Sequence, residues 1–464
     1  MIGFIHSILG FRRLKPAQKI AVSFLLVIIT GTVLLTLPIS NRDFQFLDPI
    51  DALFTSTSAT CVTGLVSVVT YDQYNAFGQA VILVMIQVGG LGLMTLMAFL
   101  ILFVKSRLSM NEKMAMKEML NQDKVLDMRR FLMDIIRYTG LFESIGAVLL
   151  SFVMIPQFGI LKGIWKSVFL SVSAFCNAGF DIIGSDSLAP YVHDPLVCFT
   201  IMALIVLGGL GFAVWFDLRD KLTLLWKRDI TWKKFRKSLT LHTRLVLGMT
   251  CILIFGTAML ILLMEFQNPE TIGNFTFPEK IMTSLFESVT LRTAGFATIS
   301  YGSLMQGTKF LMMLIMFIGG SPGGTAGGIK TTTIAVLILF LAATFKGRET
   351  VVCRRTISKE TILHALMIFS INIIVLLTGI FLLCMLQNDS FLDMAFEAVS
   401  AMATVGLTTG LTPHLNVFGK LIIISLMFIG RIGIVTLVMS VMRSNKKEGS
   451  KKSLAYPSGN VIVG

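Results

Sequence analysis

The sequence predicts an all-α integral membrane protein: eight transmembrane helices, arranged as four M1–pore-loop–M2 repeats around a pseudo-fourfold pore axis. Three observations predict it. Apolar residues gather into eight long runs, basic residues fall in alternate loops, and a short glycine-ended stretch recurs four times at near-constant spacing.

The eight runs are Ile20–Leu37, Ala76–Val104, Phe131–Ile155, Leu196–Phe216, Leu241–Met264, Phe310–Phe345, Ile362–Leu386 and Leu421–Met442. Each is near or above the roughly 20 residues with which a helix crosses about 30 Å of hydrocarbon. Charged residues make up only 14% of the chain and hydrophobic ones 54%, whereas a soluble domain carries about a quarter charged. A mean hydropathy of +0.80 exceeds what one water-soluble core would hide. The first run follows Arg12, Arg13, Lys15 and Lys19 as a signal peptide would, but no small-x-small cleavage site lies after it, so it reads as a permanent helix.

The net charge of +14 is a matter of topology rather than of nucleic-acid binding. Of 40 Lys and Arg residues, 4 lie in 1–19, 7 in 105–130, 9 in 217–244, 5 in 344–360 and 5 in 443–464. By the positive-inside rule these loops and both termini are cytoplasmic, which requires an even number of crossings. The same loops suit anionic membrane lipid or an acidic cytosolic partner. Cys61, Cys176, Cys198, Cys251, Cys353 and Cys384 show no CxxC spacing, and the five histidines are scattered, so zinc and redox roles find no support.

The recurring stretches are DALFTSTSATCVTGL (51–65), KSVFLSVSAFCNAGF (166–180), MTSLFESVTLRTAGF (282–296) and DMAFEAVSAMATVGL (393–407). Aligned without gaps they bring Gly64, Gly179, Gly295 and Gly406 into register, 115, 116 and 111 residues apart. Phe54, Phe169, Leu285 and Phe396 stand ten residues before them. A second glycine cluster follows in every copy: Gly89-Gly90-Leu91-Gly92, Gly208-Gly209-Leu210-Gly211, Gly319-Gly320-Ser321-Pro322 and Gly430-Arg431-Ile432-Gly433. The repeats therefore divide as 1–104, 105–217, 218–345 and 346–442, followed by a cytoplasmic tail, 443–464.

Each stretch is too short to span and long enough for two or three helical turns dipping into the membrane. Its return segment cannot face lipid, because unpaired carbonyls in hydrocarbon cost several kcal/mol each. Around a common axis, four such returns would offer rings of carbonyl oxygens in place of a cation's hydration shell. The candidate ion-contacting residues are Val62, Thr63 and Gly64; Asn177, Ala178 and Gly179; Thr293, Ala294 and Gly295; and Thr404, Val405 and Gly406. Four hairpins used for packing alone are the competing reading.

In the third M2, Gly319, Gly320, Ser321, Pro322, Gly323, Gly324, Thr325, Ala326, Gly327 and Gly328 should break the helix mid-membrane, since glycine costs about 1 kcal/mol and proline about 3 in a helix interior. A flexible loop below the filter is a candidate gate. Ile329 separates Gly328 from Lys330, so the phosphate-loop pattern GxxxxGK[ST] fails. Arg431, inside an apolar helix, should face the bundle interior, where its charge would raise a barrier to cations or be held by carbonyls of the loop. Lys330 is expected to snorkel to the cytoplasmic face. Arg292 is expected to pair with Glu287 or Glu397 behind the filter, and Asp51 and Asp393 to cap their short helices.

At these residues the sequence resembles the Trk/Ktr/HKT superfamily of potassium transporters, specifically the Ktr-type membrane subunit. CVTGL, CNAGF, RTAGF, ATVGL and GGSPGGTAGGIK carry the resemblance, which covers the whole chain. The chain enters directly on its first M1, where Trk-type subunits carry two further N-terminal helices. The resemblance implies K+ as the transported ion, since a serine at the position of Gly64 goes with sodium preference. It implies a channel-like gated uptake path in the bacterial plasma membrane, with Na+ a candidate activator and no covalent cofactor. It also implies a homodimer with a cytosolic nucleotide-binding RCK-type regulatory ring, a charge-barrier role for Arg431, and gating by 319–328. A tightly coupled potassium/sodium or potassium/proton symporter with alternating access is the alternative. An enzyme is not expected, because no nucleophile–base set or metal-ligand group falls in the membrane.

Overall fold

The structure, a computed structural model, describes residues 16–92, 128–227, 231–353 and 355–433. Helix α1 (Pro16–Thr36) stops because Pro38 follows, which drives Leu37 out of the helical region to ψ 143°. Helix α2 (Pro49–Cys61) opens on Asp48, whose carboxylate accepts from Ile50 N at 2.9 Å. The four-residue α3 (Thr70–Gln73) leads into α4 (Ala76–Leu91), where Asn75 accepts from Phe77 N and Gly78 N.

Helices α5 (Met128–Phe158) and α6 (Ile160–Phe175) form a hairpin turned at Gly159, and α7 (Pro195–Leu210) and α8 (Phe212–Trp226) follow. The short basic α9 (Trp232–Ser238) precedes α10 (Leu241–Glu265). A Thr276–Glu279 capping box opens α11 (Phe277–Thr290), followed by α12 (Gln306–Phe317) and α13 (Thr331–Phe345). A minimal hairpin, β1 (Val351–Val352) with β2 (Arg355–Thr356), leads to α14 (Lys359–Leu386), α15 (Phe391–Ala403) and α16 (Val417–Ile432).

Burial is inverted relative to a water-soluble protein. Val33, Phe152, Phe255 and Phe381 on the long helices α1, α5, α10 and α14 are more than half exposed. Meanwhile the Ser and Thr side chains of the short helices α2, α6, α11 and α15, such as Ser58, Ser171, Thr290 and Ser400, are buried. An apolar outside around a hydroxyl-rich inside is the pattern of a multi-pass membrane protein. Four described helices are long and apolar enough to cross alone: Gln18–Thr36, Leu132–Phe158, Leu241–Glu265 and Lys359–Leu386.

One of the predicted spans departs from the sequence expectation. The run Leu196–Phe216 is not one straight span, because α7 and α8 meet at 99° at Gly211. Gly211 has φ +91°, and a Cβ there would lie 2.5 Å from Pro322 O, so the bend admits the neighbouring loop. Trp215 braces it, its Nε1 donating to Leu207 O at 3.0 Å while its ring packs on Phe142, Phe175 and Phe212. Helices α4 and α16 end likewise at Gly92 and Gly433, and the remainders of the runs to Val104 and Met442 lie outside the described residues. The run Phe310–Phe345 breaks where the glycines predict, between α12 and α13.

Each short helix is tied by a side-chain contact to another part of the chain. Trp165 Nε1 donates to Gln79 Oε1 at 2.9 Å, linking α6 to α4. His193 Nδ1, beside α7, lies 2.8 Å from Glu279 of α11. Lys309 of α12 meets Asp393 of α15 at 3.0 Å, and Lys420 of α16 meets Asp51 of α2 at 2.5 Å. Asp51 and Asp393 are thus ion-paired residues of the first helical turn. The expected cap belongs in α2 to Asp48, and at α15 Ser390 holds the cap position.

Candidate functional site: a ring of four glycine segments

The four short helices end three to five residues before Gly64, Gly179, Gly295 and Gly406, and their returns meet one another. A Cβ at Gly64 would lie 2.5 Å from Ala178 O, at Gly179 2.7 Å from Ala294 O, and at Gly295 2.6 Å from Val405 O. At Gly406 it would collide with Thr63 O. Each glycine therefore abuts the carbonyl preceding the next, and the fourth returns to the first, closing a ring.

Backbone conformation repeats around the ring. The glycines have φ +94°, +70°, +76° and +93°, and the residues two before them, Val62, Asn177, Thr293 and Thr404, have φ +58°, +58°, +65° and +53°. The intervening residues are not in that region. Alternating φ turns successive peptide planes so that carbonyls share one side. For β-branched Val62, Thr293 and Thr404 this conformation costs about 1–3 kcal/mol each, and it persists only where the surroundings impose it.

The surroundings do so in three matching ways and one different one. Thr63 N, Ala178 N and Val405 N each donate at 2.8 Å to the carbonyl five residues back, of Ser58, Ser173 and Ser400. Ser58 Oγ and Ser400 Oγ accept from Gly64 N and Gly406 N, both at 3.1 Å. In the third segment Val289 stands at the serine position. There Ala294 N bonds Thr290 O instead, and Thr290 Oγ1 donates to Phe296 O at 2.7 Å.

Two buried glutamates hold the chain after the ring. Glu287 accepts from Thr298 N and Oγ1 and from Tyr301 OH. Glu397 accepts from Thr408 Oγ1 at 2.5 Å, Thr409 N at 3.0 Å and Thr412 Oγ1 at 2.6 Å. Neither pairs with Arg292, contrary to expectation: both carboxylates are filled by the hydroxyls and amides that follow their own glycine. Arg292 is buried, its carbonyl taken by Asn177 Nδ2 at 3.3 Å. The bracing role of the two glutamates was not expected from the sequence, although a carboxylate eight or nine residues before a ring glycine, in an apolar stretch, calls for such partners.

Below the ring, residues 318–330 form a packed loop. Gly319 N bonds Ile329 O at 2.9 Å and Thr331 N bonds Gly320 O at 3.1 Å. The bend at Gly211 receives it, with Ser321 N on Gly209 O, Thr325 N on Gly208 O and Phe212 N on Gly323 O. Arg431 reaches it from α16, NH1 donating to Thr325 O at 2.5 Å and NH2 to Gly89 O and Gly90 O of α4. The hydrogen bond to a carbonyl of the loop expected of Arg431 is present, and the residue is partly buried. Lys330, which is partly buried, folds its Nζ back onto Ala326 O at 2.8 Å.

Among the described residues no group of three His, Cys, Asp or Glu could hold a metal, and the oxygens set against the ring glycines are the backbone carbonyls of Thr63, Ala178, Ala294 and Val405. Residues 9–451 match a family model described as TrkH, cation transport protein. The chain belongs to the TrkH cation transport family. Membership makes this TrkH-family chain a transport protein rather than an enzyme. It is 40% identical over 459 residues to the potassium/sodium uptake protein NtpJ of Enterococcus hirae, covering 98% of both chains. It is 39% identical over 459 residues to the Ktr system potassium uptake protein B of Bacillus subtilis, covering 99% of both. To the protein of the same name from Vibrio alginolyticus it is 37% identical, covering 96% of this chain and 94% of that one. The crystal structure of the potassium transporter TrkH from Vibrio parahaemolyticus has the same fold, with TM-score 0.70 and 18% identity over 90% of this chain and 84% of that one.

Proposed function

We propose that this chain is the ion-translocating subunit of a Ktr-type potassium uptake system, passing K+ through a gated, channel-like pore. The observation that carries the reading is the closed ring in which Gly64, Gly179, Gly295 and Gly406 each abut the carbonyl before the next glycine. A ring of backbone oxygens held by strained, braced segments can replace the hydration shell of an alkali cation. The names of the similar uptake proteins support potassium, and Gly64 in place of serine supports preference over sodium.

In this reading eight crossings surround a pseudo-fourfold pore, with α4, α7–α8, α12–α13 and α16 lining it and both termini in the cytoplasm of the bacterial cell. The ion contacts are carbonyls of Val62–Gly64, Asn177–Gly179, Thr293–Gly295 and Thr404–Gly406. Residues 319–328 are the gate, with Lys330 and Arg431 holding its closed position, and Arg431 adds a positive barrier beneath the filter. The chain works as a homodimer under a cytosolic nucleotide-binding ring, and Na+ stimulates it. The Ktr system names of its relatives support a multi-component assembly.

Growth of an uptake-deficient bacterium at low potassium, expressing this chain with a candidate ring subunit, tests the function. Rescue by the wild-type chain, lost or shifted towards sodium uptake in Gly64→Ser, is the expected result. Rescue indifferent to all four glycines would overturn the filter reading.

A further inference from the structure

Asn177 holds two neighbours at once. Its Nδ2 donates to Arg292 O at 3.3 Å in the third segment, and its Oδ1 accepts from the Thr325 hydroxyl at 3.1 Å. The same hydroxyl lies 3.1 Å from Phe175 O at the end of α6. The amide orientation follows from these partners, because a flipped Asn177 would set oxygen against the carbonyl of Arg292.

Thr325 is in turn the most tightly held residue of the 318–330 loop. Its N donates to Gly208 O and its carbonyl accepts from Arg431 NH1. Asn177 and Thr325 are both buried, so neither side chain has water as a ready substitute partner. The other ring segments have no amide at the matching position. Val62, Thr293 and Thr404 stand there, and Thr404 only packs against Gly327. The loop thus has one side-chain hydrogen-bond line into the ring, and that line crosses from the second segment to the third.

We propose that Thr325 and Asn177 are specificity-positioning residues, through which the state of the loop sets how strictly the ring discriminates between alkali cations. With the loop seated, the Thr325–Asn177–Arg292 line holds the second and third segments at a fixed separation. When the loop leaves its seat, the line breaks and both segments relax. A carbonyl ring then conforms more easily to a smaller ion. The inference rests on reading 319–328 as the gate, and adds that gate and filter share one equilibrium rather than acting in series.

Initial rates of K+ and Na+ entry, and the ratio of the two, are measured on the purified full chain in vesicles of phosphatidylethanolamine and phosphatidylglycerol. Thr325→Val is expected to raise the K+ rate and to lower the K+/Na+ ratio about fivefold or more. Thr325→Ser, which keeps the donor, restores the ratio. In the double variant Thr325→Val/Asn177→Ala the ratio falls no further than in Asn177→Ala alone, because both changes cut one line.

A raised rate with an unchanged ratio, or strictly additive ratios, would overturn the coupling while leaving the gate reading intact. No change in rate or ratio would overturn both. Should Thr325→Val give no monodisperse protein, Asn177→Asp tests the line from its other end. It keeps the acceptor for Thr325 and removes the donor to Arg292 O, so the ratio falls while the loop stays held, and an unchanged ratio contradicts the proposal.

Discussion

Lys420 Nζ lies 2.5 Å from Asp51 Oδ1, joining the last described helix to the first short one across 369 residues of sequence. With Gln79–Trp165, His193–Glu279 and Lys309–Asp393 it makes a belt in which every short helix is held by the set before it. The belt closes the outer level as the glycine ring closes the inner one.

Lys420→Ala should therefore destabilise the chain by about 2 kcal/mol, between the values for exposed and fully buried pairs, since both side chains are only 14–15% exposed. Asp51→Ala/Lys420→Ala should recover part of the loss, because it leaves no unpaired charge. Thermal unfolding of the detergent-solubilised protein, read as a double-mutant cycle, measures this. A double-variant loss equal to the sum of the two single losses would show that the pair adds nothing.

Glu397→Ala removes one carboxylate from four donors at once, Thr408 Oγ1, Thr409 N, Thr409 Oγ1 and Thr412 Oγ1, of which the Thr412 hydroxyl keeps a second acceptor in Thr408 Oγ1 at 3.3 Å. At about 1–3 kcal/mol for each buried group left unpaired, the loss should exceed 3 kcal/mol and abolish uptake. Glu397→Gln should lose less, because its amide oxygen still accepts. Expression level and unfolding midpoint of the two variants give the comparison.

Arg431→Ala frees Thr325 O, Gly89 O and Gly90 O together, and removes the charge. Basal K+ flux should rise by about tenfold or more, the equivalent of one charge-assisted hydrogen bond. Arg431→Lys separates the two contributions, because lysine keeps the charge but cannot bridge both elements with a rigid fork. A leak in Arg431→Lys nearly as large as in Arg431→Ala assigns the effect to holding the loop. Tight closure in Arg431→Lys assigns it to charge.

A mostly helical, multi-pass membrane fold was legible in the sequence because long apolar runs with few charges leave no other solution. The in-register glycines pointed to the four segments that meet in the ring, and the break after Phe317 follows from six glycines and a proline within ten residues. What stayed hidden depends on tertiary contact. Gly211 lies inside a run that hydropathy reads as continuous, and only the loop seated against it explains the 99° bend. Arg292 looked like half of an ion pair because charge suggests charge, yet Glu287 is filled by Thr298 and Tyr301. Lys330 was expected at the cytoplasmic face, and its Nζ also has a partner close at hand in the carbonyl of Ala326, four residues back.

Gly211→Ala should be disproportionately costly for a single methyl group. Its φ of +91° is unfavourable for alanine, and the added carbon would strike Pro322 O of the seated loop, next to the Phe212 N to Gly323 O hydrogen bond. The expected outcome is a raised basal K+ flux along with a lowered unfolding midpoint. Gly248→Ala in α10, where a Cβ meets nothing within 4 Å, is the control expected to change neither.

The central claim is that the four-glycine ring is where the cation loses its water. Anomalous scattering from crystals of the full chain grown in Tl+, a K+ surrogate, tests it most directly. A peak is expected on the ring axis, within coordination distance of the carbonyls of Thr63, Ala178, Ala294 and Val405, which Na+ displaces poorly. Thallium bound elsewhere in the membrane region with no density at the ring would contradict it.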